Sequence, residues 1–162
     1  MTQSNPSTRY GIKLIYYEHL FPPKPYFERS LGPDQPALMN FSREPKGQAL
    51  ARSIGVGDRC LVYVTKVQLF VSAIEFIGTV EDGQKACKQH RIPPRAHFPF
   101  TVYLPIRFLA RVIPWEKGPT LQSVCSTSGV SFAPSEGDSL VDLSESDYGR
   151  MYRAITWTHE YA

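Results

Sequence analysis

The chain predicts a small mixed α+β domain, a β-barrel of about five to six strands flanked by short helices. Three observations carry that reading. Residues 57–78 hold the one segment whose pattern and punctuation agree throughout: Gly57-Asp58 as a turn, an apolar run, Lys66-Val67 where the chain must reverse, a second apolar run and Gly78 as the stop. Within it Leu61, Val62, Tyr63 and Val64 are consecutive rather than alternating, as in a strand covered on both faces. Finally, 162 residues suit one substantial core and are short for two.

Taken in order, residues 1–9 read as a flexible polar tail and 10–162 as a single domain. Residues 12–17 (IKLIYY) form a first strand, with Ile12, Leu14 and Tyr16 on one face and Lys13, Ile15 and Tyr17 on the other. Residues 21–36 hold Pro22, Pro23, Pro25, Pro33 and Pro36, which predicts a long stiff loop. A short extended piece at 37–41 precedes a short helix at 47–53 that Gly55 ends. The hairpin pairs residues 60–65 with 68–77. Residues 79–99 read as a polar connection, and 100–113 (FTVYLPIRFLARVI) as two short strands or one strand bent at Pro105. A turn-rich stretch over 114–137 leads to a last strand at 139–141. The clearest helix follows. Ser144 and Asp147 make a capping box with Asp in the usual place of Glu, and Tyr148, Met151, Tyr152 and Ile155 fall at helical spacing on a core-facing stripe.

Composition excludes several classes. Apolar residues are 42% and charged residues 20%, and no apolar run approaches the ~18 residues of a membrane span. The N-terminus lacks a basic region followed by an apolar one, so a cytoplasmic protein is expected. Cys60, Cys87 and Cys125 are odd in number and far apart, and His19, His90, His97 and His159 show no ligand spacing, against a disulfide framework, a structural metal or a bound cofactor. Cys125 in the CSTSG stretch has no base at a recognisable spacing.

Charge is segregated. Between Asp82 and Glu116 no acidic residue occurs, while Lys85, Lys88, Arg91, Arg95, Arg107 and Arg111 do. Glu136, Asp138, Asp142, Glu145 and Asp147 cluster near the end without a base among them. The basic half has the electrostatic footprint of a phosphate-backbone surface, with Lys85, Lys88, Arg91 and Arg95 as its contacts, and the interleaved Phe98, Phe100 and Tyr103 suit stacking on bases.

The GDRCLVYVT strand entry at Gly57, the FPFTV entry at Phe98 to Val102 and the DYGRMYRAI helix at Asp147, in that order along most of the chain, resemble the EVE domain family. Its members are PUA-like barrels related to the YTH readers of methylated adenine. The resemblance implies a non-catalytic, nucleic-acid-binding reader that holds one modified base, methylated by preference, in an aromatic-lined pocket. Such a pocket needs stacking walls and a polar edge contact rather than a catalytic dyad. Carried over by position, it implies that Tyr16, Tyr17, Glu18, His19, Met39, Asn40, Tyr63, Thr65, His97 and Phe98 line it. DNA and RNA stay equally open. The sequence departs from the family in having only Trp115 and Trp157, neither at a pocket wall, and Tyr17-Glu18 where a Lys-Ser pair is usual.

Two alternatives stand beside this reading. A PUA-like RNA nuclease would use lysines, tyrosines and histidines near the backbone, and a protein-interaction module would use the Pro-rich loop. The stretch from Gly129 to Ala133 approaches a nucleophile elbow but lacks the second glycine.

Overall fold

The structure is a computed structural model describing residues 8–15, 37–41, 45–89, 102–134 and 139–160. Its elements are β1 (Tyr10–Ile15), β2 (Ala37–Phe41), α1 (Pro45–Ser53), β3 (Arg59–Val64), β4 (Leu69–Phe76), α2 (Val80–Gln89), β5 (Val102–Arg111), a 3₁₀ turn (Trp115–Lys117), α3 (Leu121–Ser128), β6 (Leu140–Leu143), α4 (Glu145–Ala154) and β7 (His159–Glu160). The class is the expected one, a mixed α+β fold in which a curled, barrel-like sheet is flanked by short helices.

The sheet order is β2-β5-β4-β3-β1-β6, with β7 added on β5. Among the described strands only β1 and β3 run parallel, paired from Tyr10↔Arg59 to Ile15↔Val64. The central hairpin has the expected place: β3 and β4 are antiparallel neighbours in mid-sheet. Lys66 and Gln68 at its turn take φ of 68° and 58°. Register shifts after Val62 in β3–β4 and after Ala73 in β4–β5 mark bulges, which bend strands and raise twist.

Both sheet faces are buried, which explains the unbroken apolar run. Cys60, Val62 and Val64 join one core cluster with Ile15, Met39, Phe41, Leu104 and Ile106, to which α1 adds Ala51 and α2 adds Val80. Leu61 and Tyr63 join a second with Ile12, Leu14 and Phe70, to which α3 adds Val124 and α4 adds Tyr148 and Met151. The α4 stripe is therefore core, as its spacing predicts. Ser144 caps that helix by accepting from the Asp147 N–H at 3.0 Å.

Several expectations need correction. The connection over 79–99 contains α2. Thr79 and Asp82 cap it reciprocally, the Asp82 carboxylate accepting from the Thr79 N–H at 2.8 Å and the Thr79 hydroxyl from the Asp82 N–H at 3.2 Å. The turn-rich stretch contains α3, capped by the Thr120 hydroxyl on the Ser123 N–H and ended by Gly129 at φ 74°. Pro105 does not break β5. Pairing with β4 begins one residue later, at Phe76↔Ile106, so no ladder bond is asked of the missing N–H, while the Pro105 carbonyl accepts from Ile77. Arg9 is not loose: its N–H donates to Asp58 Oδ1 at 2.9 Å and its guanidinium pairs with Asp142. The Pro-rich loop lies outside the described residues.

Candidate base-binding site in the curled sheet

The residues that the resemblance implies are only partly brought together. Tyr16, Tyr17, Glu18, His19, His97 and Phe98, with Arg91 and Arg95, lie outside the described residues. Met39 and Phe41 face the first core cluster. Asn40 alternates away from them and pairs in β2–β5 with Tyr103. Tyr63 lies in the second cluster, with its ring 5.1 Å from Phe70 and 5.8 Å, edge-on, from Phe132. It is 1% exposed, and burial raises its phenol above the ordinary value. As a shared pocket wall, Tyr63 with Met39 is therefore corrected, because the sheet itself separates them. Thr65 sits half-buried at the end of β1, where its N–H and hydroxyl both donate to the Ile15 carbonyl.

The chemistry gathers instead on Lys13, which the sequence places on the Ile15 face without a role. Its strand is flanked on both sides, by Val62 of β3 and Leu140 of β6. With both faces covered, the side chain has no path to water, and Lys13 is 3% exposed. The ammonium donates to the Leu14 carbonyl at 3.0 Å and to Ser139 Oγ at 3.1 Å, and lies 4.8 Å from the centroid of the Phe41 ring. Phe41 belongs to β2, an edge strand separated from β1 by β5, β4 and β3. A contact across that many strands means that the sheet curls until its β2 edge faces β1. Lys13 and Phe41 thus meet in the interior across the curl, with Met39 two residues away on the same face of β2.

Burial pushes the Lys13 amine down to about 8, opposed by nearby Cys60, whose own thiol burial pushes up to about 12. Among the described residues no carboxylate contributes to the Lys13 balance. Asp58 accepts the backbone N–H groups of Arg9 and Gly55, and Asp142 pairs with Arg9. A buried ammonium held by a carbonyl, a hydroxyl and a ring is a donor that an acceptor atom could meet. Among the described residues, no group of His, Cys, Asp and Glu could hold a metal ion, and no helix is long and apolar enough to cross a membrane.

The expected phosphate contacts divide likewise. Lys85 and Lys88 are exposed on α2. That helix passes close to β5 beside β2: a Cβ on Gly83 would stand 2.0 Å from the Tyr103 carbonyl oxygen. Arg107 is committed to Glu75, which also holds Arg59, and Arg111 lies 4.8 Å over the Phe108 ring. Of the acidic cluster, Asp142 pairs with Arg9, Asp147 with Arg150, and Glu145 accepts from the Tyr10 hydroxyl.

No family model matches the chain, and no curated protein matches it. Among solved structures it is similar to a hypothetical protein from Leishmania major, at 15% identity over 90% of this chain and 93% of that one, with a TM-score of 0.51. A protein from Pseudomonas putida aligns at 12% identity over 90% and 98% of the two chains, with a TM-score of 0.47. The Leishmania likeness spans nearly the whole of both chains and shows a shared fold.

Proposed function

We propose that this chain is a non-catalytic nucleic-acid reader of the EVE type that holds one modified base inside the curl of its sheet. The observation that carries the reading is Lys13: an ammonium, 3% exposed, set among apolar side chains and facing Phe41 across the curl. A buried cation costs stability, and among the described residues no carboxylate meets this one; such groups concentrate where a ligand supplies a partner. The chemistry around it is that of base recognition, with an aromatic ring and a thioether as walls and a cation and a hydroxyl for the polar edge. The exposed Lys85 and Lys88, on the helix that passes beside β2, suit flanking phosphates. A protein with this role would work on nucleic acid in the cytoplasm.

The test is heteronuclear NMR with methyl and amide probes, titrating short oligonucleotides that carry one methylated base. The reading expects shifts at Met39, Phe41, Lys13 and Ser139, with a second set on α2. Shifts confined to the α3–α4 face would sink it.

A further inference from the structure

We infer that the backbone of the bound strand runs along α2 and crosses onto α1, so that Arg52 joins Lys85 and Lys88 as a phosphate contact and Glu81 weakens the hold of that track. The inference rests on the nucleic-acid reading above and goes beyond it by naming the path of the strand and the residue that opposes it.

Helix spacing sets the track. Glu81, Lys85 and Lys88 fall at i, i+4 and i+7 of α2, which places them on one stripe about 10 Å long. The helix turns Val80 and Gly83 to the sheet, and all three charged residues are exposed. At the start of the stripe the Arg52 guanidinium donates to Glu81 Oε1 at 3.0 Å, the two side chains being 58% and 64% exposed. Arg52 lies in the last turn of α1, so this pair carries the stripe from one helix to the next. Asp82, the other acid of the first turn, serves the cap instead, accepting from the Thr79 N–H and hydroxyl. Three cations and one carboxylate thus line an open surface. The bond from Arg52 holds the Glu81 carboxyl below its ordinary value, so the acid is ionised at neutral pH and offsets the cation beside it. An exposed pair of this kind is weak. A phosphate can take over the guanidinium, whose five donors form a planar fork. Glu81 then stands beside the phosphate that displaced it and opposes binding of every sequence alike.

The test is fluorescence anisotropy between about 50 and 200 mM salt, with short single strands carrying N6-methyladenine, 5-methylcytosine or no modification, and circular dichroism to check that each variant folds. Arg52→Ala should reduce the salt slope by about 0.7 to 0.9 for every strand. Glu81→Gln should tighten binding of every strand by roughly 2- to 5-fold at the low-salt end. Arg153→Ala and Glu145→Gln make the same changes of charge at exposed positions of α4, which packs on the other face of the sheet, and should alter neither quantity. An Arg52→Ala slope equal to that of wild type overturns the inference, and so does a Glu81→Gln protein that binds no more tightly. Equal effects from the α4 variants overturn it too, because net charge alone would then be the cause. If a modified strand is preferred while the Arg52 and Glu81 effects are missing, the base-holding reading stands without this one. If no modified strand is preferred, the base-holding reading has failed whatever the track does, and binding of no strand at all overturns both.

Discussion

Replacing Lys13 by Met should remove a pH dependence that the wild-type protein carries in its core. The side chain is 3% exposed, and its amine is pushed down from the ordinary 10.5 to about 8. The sign follows from proton counting. Below pH 8 both folded and unfolded chains hold the proton and the burial penalty is fully present. As pH rises through 8 the folded chain releases its proton first, so stability rises with pH until the unfolded chain also deprotonates near 10.5. The shift corresponds to a penalty of about 3 kcal/mol at neutral pH, of which about 1 kcal/mol is relieved between pH 7 and pH 9. Cys60 acts the other way above pH 9, since its thiol stays protonated to about 12 when buried, so the comparison belongs at pH 7 to 9. Met fills a similar volume but loses the donations to the Leu14 carbonyl and Ser139 Oγ, at about 1 to 3 kcal/mol each. The absolute stability of the variant is therefore less informative than its slope. Urea unfolding at pH 7, 8 and 9, followed by tryptophan fluorescence, should show wild type gaining on Lys13→Met by about 1 kcal/mol across the range. Parallel pH profiles would refute a buried charged lysine.

Three further predictions test the frame around the site. Gly83→Ala should destabilise by about 2 to 3 kcal/mol, because the new methyl carbon would stand 2.0 Å from the Tyr103 carbonyl oxygen; a thermal shift of no more than a degree or two would mean that α2 does not approach β5 so closely. Asp58→Ala should cost about 2 to 4 kcal/mol in chemical denaturation, since a carboxylate 6% exposed ties down the N–H groups of Arg9 and Gly55 at 2.9 and 2.8 Å; wild-type stability would show that those bonds are replaceable. Changing Lys85 and Lys88 together to Ala should weaken oligonucleotide binding alike for all sequences and reduce the salt slope by about 1.4 to 1.8, and an unchanged slope would remove α2 from the interface.

What was legible in the sequence follows from where local pattern and tertiary burial agree. The β3–β4 hairpin was readable because four consecutive apolar residues admit few arrangements except a strand covered on both faces, and the two core clusters supply both covers. Helix α4 was readable because cap and stripe coincide. By contrast α2 is short and polar, and its signal was the Thr79-Asp82 pair, a capping box preceding a segment with little apolar periodicity. Helix α3 is LQSVCSTS, rich in residues that compete with helical backbone bonds, and only Thr120 and Gly129 at its ends betray it. The candidate site was harder. Alternation put Lys13 on the Ile15 face, and a strand buried on both sides gives such a lysine no exit, so the signal was present. That Phe41 meets it across the curl depends on closure of the sheet, which no local pattern encodes. Tyr63 parts from Met39 for the same reason: strand position alone does not say which of two buried faces a residue shares.

The central claim is that the interior of the sheet holds a single modified base. It is tested most directly by fluorescence anisotropy at near-physiological salt, using short single- and double-stranded DNA and RNA, each unmodified or carrying methylcytosine, hydroxymethylcytosine or methyladenine. One modified strand should bind more tightly than its unmodified parent, with the preference lost in Lys13→Met. Equal binding to every strand, or to none, would contradict it.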